Sequence, residues 1–183
     1  MGNKAVAVVG MCGSGKSVLT DMFVKSGWSK VYFGGVTVTQ LKKQGIPINE
    51  QNERTMRESL RKKHGMGAFA LLLEEEIDSL LKQGNVVLDG LYSWSEYTFL
   101  KNKYGNDLVI VAVVTNSAVR YERLSTREIR PLTPQQACSR DYAEIENSEK
   151  GGPIAIADYY IVNNGTVEQM AMQFESFINW LNR

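Results

Sequence analysis

Gly10-Met11-Cys12-Gly13-Ser14-Gly15-Lys16-Ser17 is the stretch on which the reading of this chain turns. It matches GxxxxGK[ST] in full, and each fixed position has a physical purpose. The glycines let the backbone adopt positive φ and approach an anion closely, so that successive N–H groups converge on phosphate oxygens. A helix opening near Lys16 adds the partial positive charge of its N-terminus. The Lys16 ammonium can reach the β- and γ-phosphates, and the Ser17 hydroxyl can ligate magnesium. The flanks agree with that mechanism. The unbroken apolar run Ala5–Val9 reads as a strand covered on both faces, and the helical stretch Lys16–Lys25 stops at Gly27.

Outward from this loop, short β-rich runs alternate with longer helical stretches, the pattern of an α/β fold built on a parallel sheet. Further strands are expected at Lys30–Phe33, ended by Gly34–Gly35, and at Val86–Leu88, Leu108–Val114 and Tyr159–Val162. Helices are expected at Thr37–Lys43, Glu53–Lys63, Gly67–Lys82, Ala118–Ser125, Pro134–Asn147 and Val167–Leu181. Residues 126–133 read as an exposed loop. No repeat, low-complexity tract or linker divides the chain, so residues 1–183 read as one domain.

The 183 residues are 43% hydrophobic and 22% charged, with a net charge of +1. Broad attraction to nucleic acid or an acidic membrane is therefore not indicated, and any anion must be held by local groups. No basic stripe with interleaved aromatics suggests a nucleic-acid partner. Cys12 and Cys138 lack zinc-ligand spacing. Residues 1–4 lead straight into the first strand without a signal-peptide pattern, and no apolar run is long enough to span a bilayer, so a cytoplasmic location is expected.

The second anchor is Val86-Val87-Leu88-Asp89-Gly90. A strand ending in aspartate puts a carboxylate at the carboxyl edge of the sheet, where it can hold magnesium in the Walker B role. Asn102-Lys103-Tyr104-Gly105 has glycine where a guanine-reading NKxD motif needs aspartate, no DxxG switch follows Asp89, and no LSGGQ-like signature is present. Instead there is an arginine cluster, Arg120, Arg123, Arg127 and Arg130, with Arg140 further on. A helix, an arginine-bearing loop and a second helix suit a lid that excludes water and brings guanidinium groups to a transferring phosphoryl. Arg123 and Arg127, one helical turn apart, can share a side.

At this point the chain resembles the P-loop nucleoside monophosphate kinase and dephospho-coenzyme A kinase group. It is most similar to the small archaeal-type proteins related to dephospho-coenzyme A kinase and adenylate kinase. The resemblance rests on Val9–Ser17, Leu60–Gly65, Val87–Leu91, Arg120–Leu124 and Ala157–Thr166, the last similar to an ADxxIxNxG stretch of dephospho-coenzyme A kinases. It implies a three-layer P-loop NTPase fold with five parallel strands, helices on both faces and a short lid over about residues 120–147. It also implies ATP with Mg2+, Asn163 and Gly165 beside the adenine, and acceptor-site helices over about 37–83. On those helices Arg57 and Arg61 would grip an acceptor phosphate. For His64, the only histidine, a surface or capping role is expected.

One departure bears on the substrate. Dephospho-coenzyme A kinases carry aspartates after the second strand, where this chain has Phe33-Gly34-Gly35-Val36-Thr37. A hydroxyl acceptor benefits from a nearby base, whereas a phosphate acceptor is already anionic. The expectation is thus an ATP-dependent phosphotransferase acting on a nucleotide or nucleotide-like small molecule. Lys16, Asp89, Arg123 and Arg127 would be catalytic, Gly10, Gly13, Ser14, Gly15, Lys16 and Ser17 would bind nucleotide, and Ser17 and Asp89 would hold the metal. Two alternatives stay open: a P-loop ATPase that regulates a protein partner, and a kinase for a hydroxyl such as that of dephospho-coenzyme A.

Overall fold

A computed structural model describes residues 2–128 and 130–183, with Glu50 described by its backbone alone. Met1, in the expected lead-in to the first strand, and Ile129, in the expected loop 126–133, lie outside the described residues. Five strands run parallel: β1 (Ala5–Val9), β2 (Ser29–Tyr32), β3 (Val86–Asp89), β4 (Leu108–Val114) and β5 (Tyr159–Val162). Their spatial order is β2-β3-β1-β4-β5. Ala5 lies opposite both Val86 and Leu108, and Val8 opposite Asp89 and Val111. The order reverses beside β1, so a ligand crevice opens at the carboxyl ends of these central strands.

Helices α1 (Lys16–Lys25) and α9 (Val167–Leu181) belong to one face of the sheet. On the other side of the chain's plan lie α2 (Gly34–Lys43), α3 (Glu50–His64), α4 (Ala68–Leu81) and α5 (Trp94–Tyr104). The remaining helices are α6 (Ser117–Thr126), α7 (Pro134–Glu146) and the short α8 (Gly151–Ala155). The alternation of β1 serves both layers. Ala5, Ala7 and Val9 enter the core under α2 to α5, while Val6 and Val8 enter the core under α1 and α9. In the second core Phe23 meets Phe174 and Phe177 edge-on, with ring centroids 4.9 and 5.8 Å away. Full burial of each such side chain contributes roughly 1.5–3 kcal/mol.

The α/β class, the five-stranded parallel sheet and the bounds of β1, β4, β5, α1 and α9 agree with the sequence reading. The second strand is Ser29–Tyr32 where Lys30–Phe33 was expected, α3 opens at Glu50 ahead of the expected Glu53, and other ends shift by a residue. Larger differences concern α2, α5 and α8. Gly34 and Gly35 open α2 instead of ending a strand, because the Tyr32 ring folds back over Gly34, where a Cβ would lie 2.4 Å from the hydroxyl oxygen. Helix α5 was not expected, although Ser93 and Glu96 form a capping box at its start. Helix α8 contains Gly151, Gly152 and Pro153, poor helix formers whose local preference is overridden by packing. Gly152 lies against Trp94 so closely that a Cβ would approach the ring to 2.7 Å. Among the described residues, no helix is long and apolar enough to cross a membrane.

Candidate active site

The glycine loop joins β1 to α1, and its shape is held from beneath by residues far away in sequence. Gly10 has φ 148°, and a Cβ there would meet the Val113 carbonyl oxygen at 2.5 Å. Gly15 has φ 96°, and a Cβ would lie 2.2 Å from Asn163 Nδ2. That amide donates to the Ser14 carbonyl over 2.8 Å, and Asn163 is 7% exposed. The Thr115 hydroxyl lies 3.0 Å from the same carbonyl and 3.1 Å from the Asn163 carbonyl. The loop is therefore clamped onto the ends of β4 and β5, which preorganises its backbone.

Above the loop lies a cleft of about 690 Å3 lined by seven of the residues expected from sequence: Gly13, Gly15, Lys16, Ser17, Asp89, Arg123 and Arg127. Lys30, Tyr32, Tyr92 and Leu124 complete its lining, and Asp89 is the sole carboxylate among the described residues there. Lys16 Nζ donates to the Met11 carbonyl at 3.0 Å. Burial, reinforced by the nearby Lys150 ammonium, pulls the Lys16 pKa down to about 8. Asp89 forms an ion pair with Lys30 Nζ at 2.9 Å. Burial also pushes the Tyr92 hydroxyl far above its usual range, which keeps it a neutral donor. Arg123 donates to the carbonyls of Asn163 and Gly165, at 3.0 and 3.3 Å. Arg127, just past the end of α6, donates through Nε to the Arg130 carbonyl.

The structure also brings in residues that the sequence did not point to. Helices α6 and α7 together hold the backbone of Cys12, one through its carbonyl and the other through its N–H. Glu144 accepts from the Cys12 N–H at 3.2 Å, and Arg120 donates to the Cys12 carbonyl at 3.1 Å. Arg120 is itself held by a bidentate pair to Asp141, at 2.8 and 2.6 Å. Lys150, only 3% exposed, donates to Glu144 at 2.7 Å and sits 5.0 Å from the centre of the Tyr92 ring. Burial alone would raise the Glu144 carboxyl, but the Lys150 ammonium, with Arg140 and Lys16, holds it below the usual range. Arg120 was visible as a member of a basic cluster. Its partner Asp141 and the Glu144–Lys150 pair carried no motif.

The expected acceptor residues lie apart from the cleft lining. Arg57 on α3 pairs with Glu53 at 3.5 Å, and Arg130 from the segment between α6 and α7 reaches the same carboxylate at 3.7 Å. Arg61 stands over the Phe69 ring at 5.6 Å, with its Nε buried and unbonded. It faces the buried Glu96, whose Oε2 accepts from the backbone N–H groups of Tyr92 and Ser93. His64 is the last residue of α3, ahead of Gly65. Gly10 and Ser14 shape the loop from within, and Gly165 borders a separate groove of about 440 Å3 along α9.

Residues 6–150 match a family described as the AAA domain. A UPF0200 protein of Thermococcus kodakarensis is 34% identical over 178 residues, covering 95% of this chain and 96% of its own. One from Sulfurisphaera tokodaii is 32% identical over 179 residues, covering 96% of each. Among solved structures, TT1252 from Thermus thermophilus matches over 99% of both chains with a TM-score of 0.66 at 17% identity. Shikimate kinase from Bacteroides thetaiotaomicron matches over 98% of this chain and 99% of its own, with a TM-score of 0.63 at 13% identity. At such identities the likeness shows the fold alone, a fold this chain shares with both proteins.

Proposed function

The chain belongs to the UPF0200 family, and from the chemistry of its cleft we propose that it is an ATP-dependent phosphotransferase acting on a nucleotide or nucleotide-like acceptor. The observation that carries this reading is convergence. Lys16 from the loop, Asp89 from the end of β3, and Arg123 and Arg127 from α6 and just beyond it line one cleft. A site built only to retain a nucleotide does not need guanidinium groups beside its phosphate loop, whereas phosphoryl transfer gains from them.

The residues present fit the groups the fold implies. The loop is a cradle that side chains would fill, and Ser17 and Asp89 offer oxygen donors in the same cleft, the donor type a hard divalent cation prefers. Magnesium, held through Ser17 and Asp89, would supply neutralisation of the phosphate oxygens when bound. The amides of residues 13–17 and the Lys16 ammonium hold the triphosphate. Arg123 and Arg127 neutralise charge developing on the transferring group. The bonds from Arg123 to the Asn163 and Gly165 carbonyls tie α6 to the turn after β5, the side assigned to adenine. In this reading residues 1–183 act as one P-loop kinase-like domain, with residues 120–147 as lid and 37–83 as the acceptor side. Arg57 and Arg61 orient the acceptor from α3, and the Arg130–Glu53 contact links lid to acceptor side.

The test is ADP release from magnesium-ATP, with and without a panel of nucleoside monophosphates and dephospho-coenzyme A, and with Lys16→Ala as control. Strong stimulation by one acceptor, lost in the control, supports the proposal. Slow release that no acceptor changes would replace it with the regulatory ATPase. Stimulation by dephospho-coenzyme A alone would identify a hydroxyl kinase, a reading weakened by the pairing of Asp89 with Lys30.

A further inference from the structure

The acceptor end of the cleft is cationic where a hydroxyl acceptor would need a base. Lys30 and Tyr32 project from β2 on the same side of the sheet as Asp89, since Tyr32 and Asp89 are register partners and strand side chains alternate. The Lys30 ammonium lies 2.9 Å from Asp89, and the segment from Phe33 to Thr37 offers no carboxylate. Along the described lining four cations, Lys16, Lys30, Arg123 and Arg127, face the single carboxylate of Asp89. A magnesium nucleoside triphosphate brings a net charge of about −2. Positive charge therefore remains for a second anion.

We propose that Lys30 determines the acceptor class, making it a small molecule that attacks through an oxyanion, a phosphate monoester or a carboxylate, instead of through a hydroxyl. This rests on the phosphotransferase reading above. Lys30 is ion-paired with Asp89. When Asp89 is given over to a divalent cation, the ammonium is released, and its flexible four-carbon stem lets it turn to the incoming oxyanion within the same cleft. Tyr32 and Tyr92 line that wall and offer hydroxyl donors, with Tyr32 seated by the absent side chain of Gly34. The chemistry then balances without a base. The acceptor oxygen forms a bond to the γ-phosphorus while the bond from that phosphorus to the β–γ bridging oxygen breaks. ADP departs with the electron pair, and no proton has to be removed from the nucleophile. Nucleotide with its metal binds first and the acceptor second.

The experiment loads the full chain with magnesium and a non-hydrolysable ATP analogue, then titrates inorganic phosphate or acetate calorimetrically at fixed ionic strength. Wild type, Lys30→Met and Lys30→Arg are compared. Loss of one charge-assisted contact should weaken oxyanion binding about tenfold or more in Lys30→Met. Lys30→Arg should stay within about threefold of wild type, since it keeps the charge. Affinity for the magnesium-bound analogue should not fall in Lys30→Met, because Asp89 has lost a competing cation. A response to phosphate alone marks a phosphate monoester acceptor, a response to acetate alone a carboxylate, and both support the proposal. Unchanged oxyanion binding in Lys30→Met, or none in loaded wild type, overturns the role of Lys30 and leaves the phosphotransferase reading standing. Failure of wild type to bind the analogue overturns both. Should Lys30→Met not fold, Lys30→Gln carries the same comparison.

Discussion

Replacing Asn163 with alanine tests whether this side chain supports the glycine loop, a role distinct from the nucleotide contact that the resemblance implies. Its amide donates to the Ser14 carbonyl at 2.8 Å in a buried setting. A hydrogen bond of this kind contributes about 0.5–1.5 kcal/mol net, and the Ser14 carbonyl retains the Thr115 hydroxyl, so no orphaned acceptor adds to the loss. With the packing also removed, Asn163→Ala should cost about 1–2 kcal/mol. For a chain of this size that lowers Tm by roughly 3–6 °C. A second substitution sharpens the test. Gly15→Ala places a Cβ at φ 96° and 2.2 Å from Asn163 Nδ2, so it carries both a backbone cost of about 1–2 kcal/mol and a collision. In the Asn163→Ala background the collision vanishes. The double variant should therefore be less destabilised than the sum of the singles, by about 1 kcal/mol or more. Differential scanning calorimetry of all four proteins without nucleotide reads both quantities. A Tm for Asn163→Ala within about 1 °C of wild type, or strict additivity in the cycle, would refute the view of Asn163 as a clamp beneath the loop.

Three further outcomes are expected. With its pKa near 8, Lys16 must take up a proton to grip phosphate in alkaline solution, so ATP-analogue affinity should be flat below about pH 7. Above pH 8 it should weaken toward tenfold per unit, and a flat titration from pH 6.5 to about 9.5 would contradict this. Burial raises the Glu96 carboxyl to about 7, against the partial compensation of the Tyr92 N–H, so its stability contribution is greatest at low pH and is lost as pH rises through 7. Urea unfolding should show that loss between pH 4.5 and 7, about 3 kcal/mol at most, and Glu96→Gln should flatten it. Asp141→Asn leaves the Arg120 guanidinium charged with a side chain only 7% exposed, at a cost of about 3 kcal/mol in thermal unfolding. It should also weaken nucleotide binding through the Cys12 peptide, and unchanged affinity would argue against α7 as a support of the loop.

Much of this site was legible because its chemistry is written locally. The eight residues Gly10 to Ser17 contain their own turn, anion cradle and helix start, so one strand–loop–helix unit carries the pattern. Leu108–Val114 and Val167–Leu181 were equally plain, the first from its unbroken apolar run and the second from its amphipathic period. Helix α5 could have been found from Ser93-Trp94-Ser95-Glu96, a capping-box signal ahead of a helical stretch. Helix α8 could not, because Gly152 is helical only where Trp94 packs against it.

By itself, then, the sequence determined the glycine loop between β1 and α1, the acid at the end of β3 and the alternation that commits β1 to two cores, since each depends on neighbours within a few residues. Tertiary structure alone decided which distant groups meet them. Asn163 clamps Ser14, Glu144 and Arg120 hold opposite ends of the Cys12 peptide, and Lys30 pairs with Asp89. These contacts span 149, 132 and 108 residues for the first three. They exist because the strand order β2-β3-β1-β4-β5 brings the ends of β4 and β5 beside the loop and sets β2 against β3. No periodicity in the chain records that order, because it follows from how the helical layers close on the two faces of the sheet.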